Sequence, residues 1–410
     1  MAVSDLPLSY CTNVHPGRTL AEVIQGLDDF AAPVAQRCGG TVAAGLWLAA
    51  QVIRELLDSP AGISQLKETL QRGGLTCHTL NAFPYGDFHS ARVKENVYLP
   101  DWADPRRLEY TVDCARVLTS LMPAASAGRD LCGSISTMPL GFKERLYPSG
   151  HREACISQLL EAVEQLARIE SGTGRTIRLA IEPEPFCLLE TTAETVRFFQ
   201  DLFHRAEQSR RGDLARKYLG VCYDVCHQAV EFEEIAASVH AFQDAGIRIN
   251  KLHITCALEL ENPGENLPAR ETLARFAEPR YLHQTLALRA DGSILRNVDL
   301  TSEWALHPPE EFLSARSWRI HFHVPVDAEQ IGTGAGALGT TRRELRQARA
   351  AVAELPYAPH LEVETYTWPV LPGDGECSGR DLVEGLSREL LATQQLLSGL
   401  PRVQAERPAR

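Results

Sequence analysis

The chain has no unbroken apolar run near the ~20 residues needed to cross a bilayer. Its N-terminus, MAVSDLPLSY, has no basic stretch leading into an apolar one. Neither a membrane span nor a secretory leader is expected, and the cytoplasm is the default location. Basic residues are the minority: 41 lysines and arginines against 53 acids, for a formal charge of −12. That balance speaks against a surface built for nucleic-acid backbone, so no nucleic-acid partner is expected. The eleven cysteines are odd in number and scattered, several of them inside apolar runs (Cys11, Cys77, Cys222, Cys256). They read as small reduced core residues and not as a disulfide framework. The nearest pair, Cys222 and Cys226, is spaced C-x3-C with no second pair beside it, which argues against a zinc ribbon. No repeat and no low-complexity linker marks a domain boundary.

What is present is a long alternating pattern. With 410 residues, 44% of them apolar, the chain can bury a sizeable core, as one large barrel or as two ordinary domains. Short apolar runs suited to strands begin near residues 7, 41, 75, 131, 176, 217, 247, 318 and 360. Helical periodicity separates most of them, for example Leu20, Val23, Ile24, Leu27 and Phe30 on one face. Asp104 before Pro105 marks one helix start, and Thr191 with Glu194 and Thr341 with Glu344 form capping-box signatures. Alternation of this length predicts a parallel sheet covered by helices, and a (β/α)8 TIM barrel fits better than a doubly wound sheet. Nine candidate strands compete for eight places, so one lies outside the barrel. The rhythm breaks over 259–317, where two alternating runs flank Asp291-Gly292, a hairpin signature. The expectation is a single domain over 1–400 carrying a 259–317 insertion with a β-hairpin, and a disordered tail over 401–410. An aromatic-rich loop over 81–104 is long enough to expect a functional role.

Four strand ends carry chemistry. The run TIRLAI breaks at Pro183, with Glu182 and Glu184 at its C-terminal lip. Asp224, His253 and Glu364 end later strands, and alternation turns each toward the barrel axis together with Cys222, Lys251, Thr255, Glu362 and Tyr366. Ligands bind at this lip in such barrels. Three carboxylates and an imidazole converging there repel one another unless protonated or neutralised, and a divalent cation removes the penalty. A donor set of mostly oxygen favours Mn²⁺ or Mg²⁺, with Zn²⁺, Co²⁺ or Fe²⁺ also accommodated. Glu362 has the parity of Glu364 but lies deeper, which suits a supporting carboxylate. Asp224 also reads as a plain helix N-cap. Asn13, His15, Trp47 and Asn81 stand near the ends of the first three strands and are candidates to line a pocket.

The set IEPEP (Glu182), YDVCH (Asp224 and His227), KLHIT (His253) and LEVETY (Glu364) resembles the xylose-isomerase-like barrel superfamily. That superfamily holds sugar isomerases, epimerases, inosose dehydratases and an endonuclease-IV branch. More narrowly, SYCTNVHPG, RVKENVYLPDW, HFHVPV and HLEVETYTW resemble the EboE group of metabolite-traffic proteins, associated with a cyclitol-like or other secondary metabolite. The resemblance implies one divalent metal held by Glu182, Asp224, His253 and Glu364. It leaves open whether His253 or the histidines of HFHVPV, His321 and His323, supply the imidazole. It implies that Glu182 and Glu364 shuttle a proton, and that His227, Glu184, Asn13, Trp47 and Asn81 surround a sugar- or cyclitol-like substrate. Three functions follow: an isomerase or epimerase, a carrier without turnover, and a metal-assisted phosphodiester hydrolase, the last disfavoured by the acidic balance. A homo-oligomer is compatible with the sequence.

Overall fold

The computed structural model describes residues 3–4, 6–40, 42–123, 132–372, 379–398 and 402–403. Eight parallel strands close into a barrel: Leu8–Cys11, Val42–Trp47, Thr79–Asn81, Gly133–Thr137, Ile177–Ile181, Leu219–Asp224, Ile249–Ile254 and His360–Val363. The last strand pairs with the first, Glu362 opposite Ser9, and the ring is shut. Every residue of Val42–Trp47 and Leu219–Asp224 is buried, because helices cover the outer face and side chains fill the inner one. The expected (β/α)8 TIM barrel is the observed fold.

Local signals set most helix starts. Asp104 accepts from the Arg106 amide ahead of Pro105–Leu121, and Thr191 and Glu194 form a full capping box on Thr192–Gln208. Ser59 caps Pro60–Arg72 where the preceding helix stops. The box expected at Thr341 and Glu344 does not form. Thr341 Oγ1 accepts from the Ala257 amide at 2.8 Å and Glu344 pairs with Arg319 at 2.7 Å, so tertiary partners have taken both side chains.

The strand outside the barrel is Ser317–Val324. It lies within a six-stranded antiparallel sheet in the order Ile294–Asn297, Thr285–Leu288, Ser317–Val324, Cys256–Glu261, Leu338–Thr340 and Gln330–Ile331. The hairpin around Asp291-Gly292 is present, Gly292 with φ of 84° and Asp291 Oδ1 accepting from the Ser293 amide. The sheet runs past both ends of the 259–317 stretch. Only Thr255 separates the barrel strand Ile249–Ile254 from the sheet strand Cys256–Glu261. Of the 401–410 tail, Arg402–Val403 pairs in parallel with Val3–Ser4, and the remainder lies outside the described residues. Among the described residues all ten cysteines are buried and free, and no helix is long and apolar enough to cross a membrane.

Candidate functional site

Glu182 follows directly on Ile181, its amide bonded to the Thr137 carbonyl of the neighbouring strand at 2.9 Å. Asp224 ends its own strand and also caps the short helix Val225–Val230, so both readings of that residue hold. His253 lies opposite both Asp224 and Glu362 in the parallel register. Glu364 stands one residue beyond Val363. The ligand atoms of Glu182, Asp224, His253 and Glu364 all fall within 4.8 Å of one another.

The imidazole is the hub. His253 Nδ1 lies 2.9 Å from Glu182 Oε1, 3.2 Å from Glu364 Oε2 and 3.4 Å from Asp224 Oδ2, while Nε2 faces Glu362 Oε1 at 3.3 Å. A carboxylate behind a histidine is the usual support for a metal-ligating imidazole. Glu362 is in turn held by Lys251 Nζ at 2.6 Å and by the Ser9 hydroxyl at 3.1 Å. Asp224 Oδ1 accepts from Thr255 Oγ1 at 2.7 Å and from the His227 amide at 3.1 Å. Glu364 Oε1 accepts from the amides of Asn81 at 2.7 Å and Asn13 at 2.9 Å. These bonds fix one oxygen of each group and leave Glu182 Oε2 and Asp224 Oδ2 buried with no hydrogen bond. The donor set suits a hard divalent cation. Six ligands at 2.0–2.1 Å stand about 3 Å from their neighbours, close to the separations around Nδ1.

The electrostatics follow from enclosure. Burial, aided by the charges of Glu364 and Asp224, pushes the Glu182 carboxyl up to about 7 against the pull of His253. Burial acts upward on Asp224 too, but His227, His323 and His253 hold it below the ordinary carboxylate range. Burial raises Glu184 well above its usual value despite the Tyr98 hydroxyl donating to it at 2.7 Å.

Beside this cluster stands a second one. His227 on its short helix meets His321 and His323 from the inserted sheet: His227 Nε2 is 3.1 Å from His321 Nε2, which is 3.3 Å from His323 Nε2. His253, not this pair, is the imidazole among the three strand-end carboxylates.

Both clusters open into one pocket, which Asn13, Asn81, Glu182, Glu184, His227 and Glu364 help to line. Trp47 and His15 stand apart from it. The Trp47 indole donates to the Pro84 carbonyl at 3.0 Å, and the His15 ring stacks on Phe30.

Solved structures supply a comparison for the whole chain. A xylose isomerase-like TIM barrel protein from Mycobacterium smegmatis, solved in complex with magnesium, matches at 12% identity with a TM-score of 0.51, covering 97% of this chain and 100% of the other. The chain shares the TIM-barrel fold of that protein. An IolI protein with a bound zinc atom matches at 11% identity, 96% and 99% coverage and a TM-score of 0.46. An L-ribulose 3-epimerase matches at 14% identity, 60% and 69% coverage and 0.39. No family model and no curated protein matches the chain.

Of the aromatic part of the cavity, alternation had turned only Tyr366 inward; the other aromatic side chains were not anticipated. Phe83, Phe88 and Tyr98 come from the 81–104 loop, and Tyr281 and Tyr366 from the insertion and the last strand end. The loop itself was marked by its length and aromatic content; which of its residues face inward had no periodic signal, because it holds only one short helical turn, Lys94–Tyr98.

Proposed function

We propose that this protein is a metal-dependent isomerase or epimerase of a polyhydroxylated carbonyl compound, sugar- or cyclitol-like. The observation that carries the reading is the meeting of Glu182, Asp224, Glu364 and His253 Nδ1 at the cavity floor, with Glu362 behind the imidazole. Mn²⁺ or Mg²⁺ suits the three oxygens and one nitrogen best. The bound cation supplies stabilisation of negative charge on a substrate oxygen next to the reacting carbon.

The chain's own residues do the rest. Glu182 and Glu364 come from strands three places apart around the ring, and each keeps one oxygen free of amide or hydroxyl donors. They are the pair to remove and return a proton on the carbon beside the carbonyl. Asn13 and Asn81 aim Glu364, and Tyr98 with Glu184 offers polar contacts to substrate hydroxyls. Phe88, Tyr281 and Tyr366 pack against one another and give the cavity an apolar wall, which fits the C–H face of a sugar or cyclitol ring. Among the described lining residues Lys94 is the one cation, and its ammonium is already bonded to the Tyr281 carbonyl and Asp299. That favours an uncharged substrate over a phosphate ester, and counts against phosphodiester hydrolysis. The likeness of HFHVPV and HLEVETYTW to the EboE group supports a secondary-metabolite setting, and binding without turnover as the second reading.

The test is solvent exchange. Mn²⁺-loaded protein in deuterated water is offered a panel of ketoses and keto-cyclitols. Deuterium is expected at the carbon next to the carbonyl, and none with Glu182→Gln or Glu364→Gln. Exchange that survives in both variants overturns the assignment, and binding with no exchange on any panel member moves the protein to the carrier reading.

A further inference from the structure

The polar lining of the cavity is contributed by the strand ends and the histidines: Glu182 and Glu364 with Asn13 and Asn81, then Glu184 and the imidazoles. The lining residues from 83–98 and from the 259–317 insertion are of another kind. Among those described, only Lys94, Tyr98 and Tyr281 carry a polar side chain there. The Tyr281 hydroxyl donates to the Phe88 carbonyl at 3.2 Å, the Lys94 ammonium is shared by two carbonyls and Asp299, and Tyr98 gives its proton to Glu184. A substrate hydroxyl brought against this lining leaves water with little to replace it, whereas an apolar group gains by the same move.

The apolar lining does not stop at the cavity. Pro84, Phe88, Val93 and Val97 line it and also border a neighbouring pocket, which the exposed Leu99 lines as well. The backbone beneath is fixed in advance. The Val93 and Lys94 amides both bond the Arg280 carbonyl at 2.8 Å, and the Trp47 indole and Tyr110 hydroxyl hold the Pro84 carbonyl at 3.0 and 3.2 Å. The buried Arg107 guanidinium holds the Phe83 carbonyl at 3.0 Å. A surface ordered in this way costs little to organise on binding. A bare sugar or cyclitol ring carries a hydroxyl on nearly every carbon, and its C–H face is served by Phe88, Tyr281 and Tyr366 alone. It has no use for the stretch that continues past Val93 and Val97 to Leu99.

We infer that the substrate is a sugar- or cyclitol-like head joined to an apolar substituent, alkyl or aryl. The head lies at the strand-end cluster and the substituent along Pro84, Phe88, Val93 and Val97. This deepens the isomerase or epimerase reading and rests on it for the head alone.

The experiment titrates the full chain by calorimetry with three probes that share one head: methyl, hexyl and phenyl β-D-glucopyranoside. The hexyl or the phenyl probe should bind about tenfold or more tighter than the methyl probe, since each buried methylene is worth about fourfold. Val97 is only partly buried, so Val97→Asp is expected to fold. In that variant the preference should fall to about twofold or less, because the substituent then meets a charge. Should it not fold, Val97→Ala decides, with the preference expected to drop about threefold. Substituted probes that bind no better than the methyl one, or not at all, overturn the inference, and so does a preference that the Val97 variant leaves intact. Solvent exchange separates this result from the fate of the isomerase reading. Exchange on simple ketoses with no preference among the three probes keeps the isomerase and removes the substituent. A preference that Val97→Asp abolishes, with no exchange on any ketose, keeps the substituent and makes the protein a carrier of such compounds.

Discussion

The ammonium of Lys251 lies 2.6 Å from the carboxylate of Glu362 at the centre of the barrel, both side chains without solvent exposure. The pair forms the floor on which His253 rests, since Glu362 Oε1 is also 3.3 Å from His253 Nε2. Replacing Lys251 by Met strands a buried carboxylate and should cost about 3–5 kcal/mol of unfolding free energy. Adding Glu362→Leu to that variant should recover part of the loss, because no charge is then left unpaired. Urea unfolding of the two single variants and the double one gives the coupling directly. Strict additivity would show that the pair is energetically idle.

Gly45 stands beside the same carboxylate. A Cβ built there overlaps the Glu362 carboxylate, whose other oxygen is tied to Lys251. Gly45→Ala should therefore destabilise by at least about 1–3 kcal/mol, the range for overpacking a fixed core. Gly172→Ala is the control: it lies in the helix His151–Thr173 with nothing near its added methyl, and should gain up to about 1 kcal/mol. Thermal melts of the two variants should shift in opposite directions.

Glu389 gives a pH signature away from the site. Burial pushes its carboxyl up to about 7, against hydrogen bonds from the Trp368 indole, Thr365 hydroxyl and Val326 amide. An unfolded glutamate titrates near ~4.3. The raised folded value means that this group's contribution is complete below about 4.3 and is lost as pH climbs through about 7, since the folded chain keeps a proton the unfolded chain has released. Glu389→Gln cannot titrate, so the gap between wild-type and variant stability should move against the wild type from pH 5 to pH 8. Parallel stability curves would refute it.

Lys94 ties the aromatic loop to the inserted sheet, donating to the carbonyls of Tyr281 at 2.6 Å and Glu278 at 3.1 Å and to Asp299 at 2.7 Å. With Lys94→Met all three acceptors lose their donor, at a cost of about 1–3 kcal/mol for each that stays buried. Amide exchange should quicken over 278–300 and 88–98 and stay unchanged on the far helices. Uniform quickening across the chain would mean global destabilisation and no local latch.

The barrel and its strand-end residues were legible because alternation in a strand has a fixed period and an acid placed at a strand end has few reasons to be apolar-flanked. Glu182, Asp224, His253 and Glu364 meet as their parity required. Which strand lay outside the ring was left open by the sequence, although Trp318, Ile320, Phe322 and Val324 alternate with Arg319, His321 and His323, the pattern of an antiparallel strand with two unlike faces, whereas inner parallel strands read as near-continuous apolar runs. What local pattern could not carry was long-range partnership. Asn13 and Asn81 bond Glu364 across more than 280 residues, and Thr341 abandons a local cap for Ala257. No spacing rule anticipates such contacts, since they depend on which elements the closed ring brings together.

Ile254 and Val363 are partners across one seam of the ring, yet the chain builds the whole antiparallel sheet between them. Closing so long a segment as a slack loop carries an entropic penalty that rises with its length. A sheet that folds on itself first draws its two ends together, leaving Thr255 and the residues before His360 to span a short gap. Assembly then has an order: the sheet brings His321 and His323 into place, and Glu364 arrives with the final strand. A nascent chain halted before residue 360 would hold seven barrel strands with two open edges and three of the four clustered strand-end residues. The four-residue cluster is thus complete only once the final barrel strand has been made.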